Sequence, residues 1–233
     1  MRAHKHIAWV LFFVLFVLAV GGLSVAQPES SLALVSKIIQ RVLRQQDGKD
    51  WVDAKRGETL GAGDKIRTGQ SSLAVIKFKD NSMLRVRELS ELTIEGVNNN
   101  GVFFKSVEIE KGAVGFNIRK QGEGEEFRFS SPTSVASIRG TGGQFLLADS
   151  ADLLVVIEGV VLYTNQISRE SVEVRAGFTG VSRKDGTIVT RPSTDEEQRE
   201  AIESSRQTDR ENEFEFDLRD NQGNRRKLRI EFK

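Results

Sequence analysis

The sequence predicts an all-β fold: a rolled or solenoid-like antiparallel domain of short strands, then a charged helical or unstructured spacer and a terminal β-hairpin. Three observations carry that expectation. Between Gly57 and Gly186, apolar segments of about four to seven residues are cut at short intervals by glycines, including Gly61, Gly63, Gly69, Gly96, Gly112, Gly140, Gly159 and Gly177. Within Gly61 to Arg85, short alternating runs (Leu73 and Val75, Ile76 and Phe78, Met83 to Val86) are separated by Gly, Asp, Asn and Ser clusters, as strands are by turns. Near the C-terminus, apolar and charged residues alternate with the period of a strand.

Taken in order, Arg2 and Lys5 precede the unbroken apolar run Ile7 to Val20, and Ser24-Val25-Ala26 ends in small residues. Residues 1–26 therefore read as a secretory signal with Gln27 the first mature residue, and Gly21-Gly22 shortens the apolar run to signal length. The alternative is an uncleaved inner-membrane anchor over residues 7–26, since a spanning helix needs roughly 20 apolar residues. From Leu32 to Gln45 the spacing of Leu32, Val35, Ile38, Ile39, Val42 and Leu43 fits a helix, but the β-branched side chains favour strands, and a strand reading is preferred. Gln46 to Asp50 is a turn cluster, which makes Trp51 and Val52 the start of a returning strand. Val107 to Val114 and Val155 to Val161 echo each other, each passing through a charged residue and a glycine, and suggest stacked or rolled sheet layers. Asn98-Asn99-Asn100-Gly101 has the composition of a tight hairpin turn, and Gln121 to Glu126 that of an exposed loop.

The β-domain is expected over residues 27–190, and the composition changes after it. Residues 191–212 form the expected spacer: Ser193 is a helix cap with Glu196 three positions on, yet only Ala201 and Ile202 are apolar before Asn212. Residues 213–233 form the hairpin. Phe214, Phe216 and Leu218 alternate with acids, and Leu228, Ile230 and Phe232 alternate mainly with bases, so antiparallel pairing brings opposite charges together. These six apolar residues are the candidate partner-binding face, with packing on the main domain as the alternative.

Composition narrows the chemistry. Removing Arg2 and Lys5 from 34 bases leaves 32 against 33 acids, a net of −1, with both signs interspersed; nucleic-acid binding is not expected. There is no cysteine for a disulfide or a lipid anchor, and both histidines, His4 and His6, lie in the expected signal. Thiol and imidazole catalysis and zinc ligation are then closed to the mature chain, and the expectation is a non-enzyme without cofactor or metal.

Gly63-Asp64-Lys65-Ile66-Arg67-Thr68-Gly69, Asp80-Asn81-Ser82, Ile138-Arg139-Gly140-Thr141 and Glu158-Gly159-Val160, in this order and at this spacing, resemble the FecR domain family across roughly Leu34 to Val181. Asn81 stands where the family has a turn glycine, which Asn tolerates best among the other residues. Gly142-Gly143-Gln144 extends a more compact family segment and suggests a bulge. The resemblance implies an all-β cell-envelope domain, best known as the periplasmic half of regulators that relay a signal to a cytoplasmic sigma factor. Only Met1 to His6 precede the hydrophobic run, so direct sigma-factor binding is not expected.

The motif residues Gly63, Asp64, Arg67, Thr68, Gly69, Asp80, Ser82, Arg139, Gly140, Thr141 and Gly159 are read as framework. Asp64 and Asp80 sit in turns, where a carboxylate accepts backbone N–H bonds, rather than as a glycosidase pair. Arg67 and Arg139 are expected to clamp turns through Asp64, Asp80 or backbone carbonyls, with a carboxylate or phosphate ligand as the alternative. Trp51, Tyr163 and Phe178 are candidate recognition aromatics for which core packing is the expectation. The functional expectation is an exported, periplasmic or envelope-located module that binds an envelope protein or polymer, through strand addition, loops or the hairpin. The alternative is a membrane-anchored sensory accessory, and a carboxylate-dependent hydrolase ranks last.

Overall fold

The computed structural model describes residues 31–99, 102–122, 125–205, 213–219 and 225–231. The chain passes back and forth between two hydrogen-bonded ladders. β1 (Ala33–Ile39) lies in the first ladder and β2 (Val42–Gln45) in the second; β3 (Trp51–Asp53) returns along β2 and β4 (Thr59–Leu60) along β1. β5 (Lys65–Thr68) enters the second, β6 (Leu73–Phe78) and β7 (Met83–Val86) the first, and β8 (Glu91–Asn99) the second. β9 (Val102–Asn117) belongs to both. β10 (Glu126–Ser130) and β11 (Ser134–Ile138) are second-ladder strands, and β12 (Gly142–Leu147) and β13 (Ala151–Glu158) first-ladder. β14 (Val160–Asn165) and β15 (Ser171–Arg175) then join the second, and β16 (Phe178–Arg183) and β17 (Ile188–Pro192) the first.

The resulting orders are β4-β1-β6-β7-β9-β12-β13-β16-β17 and β3-β2-β5-β8-β9-β10-β11-β14-β15. In both, β9 is central, every earlier strand lies on one side and every later strand on the other. The expected all-β architecture is present, with two differences. β9 runs for 16 residues because it serves both ladders in turn, and β9–β10 pair in parallel while the other described pairs are antiparallel. Residues 32–45 are strands, not a helix.

The change of ladder has a local cause. β9 pairs with β8 through Lys111 and with β12 from Gly112 onward, and Gly112 itself has φ 84°. β13 gives way to β14 at Gly159, also at φ 84°. The echoed sequence segments are therefore both ladder crossings. A left-handed residue bends the chain without a Cβ clash, whereas a side chain at Gly112 would meet the Ser90 backbone at 2.7 Å. Gln40, Ser71, Leu89, Gly140 and Gly177 hold the same left-handed φ at other crossings. Asn81 does so at 65° between β6 and β7, as its sequence position suggests. The register shift at Gly142/Gly143 is the expected bulge; a Cβ on Gly143 would lie 2.2 Å from the Val155 carbonyl oxygen.

The two ladders face each other across one core. Phe78 on the first meets Phe127 on the second edge-on at 5.1 Å, Phe116 meets Phe129 at 5.0 Å, and Phe145 meets Tyr163 edge-on at 6.0 Å. Such pairs contribute about 0.5–1.5 kcal/mol each beyond the area they bury. Alternation along each strand puts Val35, Ile66, Ile76, Leu84, Leu92 and Ile94 into the same core.

The tail differs from its expectation. α1 (Asp195–Ser205) is not a solvated spacer: it packs on β7, β9, β12 and β13, with Ala201, Ser204 and Ser205 buried. Its contact face is small rather than apolar, which lets it approach so closely that a Cβ on Gly115 would stand 2.2 Å from the Ser204 carbonyl oxygen. The cap is one position later than expected. The Thr194 N–H donates to Glu197 Oε2 (2.9 Å) and the Glu197 N–H to Thr194 Oγ1 (3.2 Å), a reciprocal capping box. β18 (Glu213–Arg219) and β19 (Arg225–Glu231) form the expected antiparallel hairpin as a ladder of their own. Its register sets Phe214 opposite Ile230, Phe216 opposite Leu228, Glu215 opposite Arg229 and Asp217 opposite Lys227. Phe232, like Asn100 and Gly101 of the β8–β9 connection, lies outside the described residues.

Candidate binding surface

The motif residues are distributed along the ladder crossings. Gly63 has φ 82°, and Asp64, buried beside it, accepts from the Gly61 N–H (2.7 Å) and from Arg44 (2.8 Å). Arg44 also binds Glu58 at 2.6 Å, which closes a three-residue ion network in which Arg44 and Asp64 are buried and Glu58 is half-buried. Thr68 is buried, its hydroxyl donating to the Arg87 carbonyl and accepting from the Ser90 N–H (3.0 Å); the Gly69 N–H donates to the Arg41 carbonyl (2.9 Å). Asp80 forms a turn by accepting from the Ser82 N–H (2.9 Å) and hydroxyl (3.0 Å). Lys105 and Gln121 also donate to it, at 2.6 and 3.1 Å. Burial pushes the Asp80 carboxyl up, but the bonds from Lys105, Ser82 and Gln121 outweigh it and hold the group below the ordinary aspartate value. Gln121 is thus an interior ligand of Asp80, not the start of an exposed loop.

Arg67 clamps neither Asp64 nor Asp80. Its guanidinium makes two 2.8 Å bonds to Glu91 and lies 4.1 Å over the Trp51 ring, because Arg67 and Glu91 face each other across β5 and β8. The Arg67 bonds draw Glu91 below the usual carboxylate range despite its burial. Among the described residues Arg139 makes one hydrogen bond, 3.5 Å to the Gly122 carbonyl. Gly140 and Gly159 hold their left-handed turns, and Thr141 is buried. Tyr163 is fully buried, donating to Ser134 Oγ at 3.0 Å, whereas Phe178 is 39% exposed instead of packed in the core.

One cluster was not singled out from sequence. Buried Asp152 accepts from the hydroxyls of Ser131 and Ser134, and Tyr163 joins through Ser134 and the Asp152 carbonyl. Ser131 also receives the N–H groups of Thr133 and Ser134, so the Ser-Pro-Thr-Ser turn was the available signal. These groups lie in the core and carry packing.

The two outer faces are unlike. α1 covers the centre of the first, and its N-terminus is tied down by two Arg191–Glu197 bonds of 2.6 and 2.8 Å. The second is open and holds a cleft of about 470 Å³ among Phe104, Glu126, Ser137, Arg139, Val160 and Leu162. Register explains the cleft. Ser106, Arg128, Ser137, Leu162 and Glu173 stand side by side across β9, β10, β11, β14 and β15, so short serines make a floor between larger neighbours. Val160 and Leu162 are 47% and 49% exposed there. An adjoining groove of about 290 Å³ shares Phe104 and Glu126 and contains Glu95. Burial, then Glu108 and Asp47, push the Glu95 carboxyl above its ordinary value. Among the described residues no group of His, Cys, Asp and Glu is placed to hold a metal ion, and no helix is long and apolar enough to cross a membrane.

The class defined by these features is a two-ladder all-β domain with fixed ion-paired turns and one open face. Residues 64–162 match the model of the FecR protein family. No curated protein matches the chain. Two crystal structures of a protein from Parabacteroides distasonis ATCC 8503, described as a proposed anti-sigma factor, are similar at 14% identity with TM-scores of 0.47 and 0.46. The similarity covers 55% of this chain and 59% of each of theirs.

Proposed function

We propose that the protein is exported and acts in the cell envelope as a non-catalytic binding module, presenting the outer face of the second ladder to an envelope protein or polymer. The observation that carries this reading is the asymmetry of the two faces: a helix covers one, and the other keeps Val160 and Leu162 exposed in a serine-floored cleft. An exposed apolar patch with a charged rim is the usual form of an interaction surface. The FecR match supports a role connected with envelope signalling, and the start of the chain, basic residues, then an apolar run, then small residues, supports export.

A photo-crosslinking side chain placed at Leu162 in cells is expected to capture an envelope component that the same group at Ile202, on α1, does not. Equal capture from both positions would sink the assignment of the face. The intact mass of the mature chain tests export separately, with a start at Gln27 expected. A retained Met1 would favour the membrane-anchored accessory instead.

A further inference from the structure

Most cations on the ladders are matched with carboxylates: Lys65 with Glu110, Arg67 and Lys111 with Glu91, Arg128 with Glu126, Arg175 with Glu173, and Arg191 with Glu197. Arg119, Lys120 and Arg139 depart from that pattern. All three are exposed, and among the described residues none forms an ion pair. Arg139 lines the cleft of the second ladder's outer face, whereas Arg119 and Lys120 lie beside the β11–β12 crossing, where a Cβ on Gly140 would stand 3.1 Å from Lys120 Cα.

Between these segments is a polar cleft of about 350 Å³ lined by Asn117, Arg119, Lys120, Gly140, Thr141 and Glu158. Thr141 is only 3% exposed, and among the described residues its Oγ1 has no hydrogen-bond partner, a costly state for a buried hydroxyl. Two cations on the cleft suit an anion, while Glu158 repels any anion that cannot donate a proton to it. A phosphate monoester satisfies both conditions at about pH 6 and below, because its second ionisation lies at about 6. Sulfate and phosphodiesters carry no such proton.

We propose that this cleft is a binding site for a phosphate monoester, with Arg119 and Lys120 holding the anionic oxygens and Glu158 accepting a hydrogen bond from the P–OH group. The site is independent of whatever occupies the second ladder's outer face. It also accounts for the Arg-Gly-Thr segment as more than a turn, since Gly140 permits the approach of Lys120 and Thr141 lines the wall.

Titration of the isotope-labelled full chain with inorganic phosphate at pH 6 is the direct test. Amide shifts are expected at residues 117–120 and 139–142, with sulfate weaker by about tenfold, one missing charge-assisted bond. The double variant Arg119→Gln/Lys120→Gln alters only exposed side chains and is expected to lose the phosphate shifts while melting like the parent. Glu158→Gln should bring sulfate up to phosphate. Vesicles of phosphatidylcholine with phosphatidic acid distinguish a lipid headgroup, which would shift the same amides, from a soluble phosphate, which leaves vesicles unbound. No localised shift with millimolar phosphate, or an unchanged shift in the double variant, overturns the site; equal binding of sulfate by the parent overturns the role of Glu158.

Discussion

Tyr163 is the sole tyrosine of the chain and therefore a residue-level probe of the core. Burial pushes its phenol well above the ordinary value of 10.0, so the folded protein keeps a proton that the unfolded chain releases. The sign follows: the contribution to stability is intact below pH 10 and falls as pH rises past it. An alkaline titration should show tyrosinate absorbance appearing together with loss of the near-ultraviolet dichroism, and tyrosinate forming first would contradict the burial. The motif carboxylates and arginines behave differently from one another because their partners come from other strands. The turn role of Asp64 and Asp80 was legible in the sequence, since an aspartate beside Gly, Asn or Ser bonds locally. The Arg67–Glu91 pair and the Asp152 hydroxyl cluster were not, because each depends on cross-strand register.

At the scale of elements, α1 and its cap show where period and composition mislead. A helix with Ala and Ser on its inner face has no broad apolar stripe, yet it docks because Gly115 opens the space beneath it. The bond from Arg191 holds the Glu197 carboxyl at about 2, against an ordinary 4.5 and despite burial. A depressed carboxylate stabilises above its unfolded pKa, and the contribution is lost as pH falls from about 4.5 toward about 2. Glu197→Gln is expected to cost about 1 kcal/mol at pH 7, the usual worth of a cap with one ion pair, and progressively less as pH falls through 4.5 toward about 2. Denaturant titrations of both proteins across that interval would measure it; a difference that stays constant with pH would rule the linkage out. Strands were easier to read than this helix, because glycine punctuation and β-branched runs act within a few residues. The 16-residue β9 escaped the pattern since its two halves answer to different ladders.

For the whole molecule, the central position of β9 predicts a gradient of local stability. Both halves of β9 have neighbours on each side, β8 and β10 for the first, β7 and β12 for the second. The outermost strands β15 and β17 each pair on one side only among the described strands. Amide exchange at Val107, Val114 and Phe116 should require global opening and be slower by orders of magnitude than at β15 or β17. Uniform rates across the ladders would contradict the arrangement. All-β class, crossings and hairpin were within reach of sequence reasoning, whereas the open second face was not, since only the complete strand order decides which surface remains uncovered.

The same strand order has a kinetic meaning. Among the described strands, β1 to β8 pair only among themselves and with β9, so they can assemble while the rest of the chain is still being synthesised. β9 then emerges as the growing edge of both ladders at once. It serves as a template on which β10 and β12 add, and the later strands follow outward from it. Apart from β1–β6, each described pairing joins strands no more than three apart in the chain, which limits the loop that each one must close.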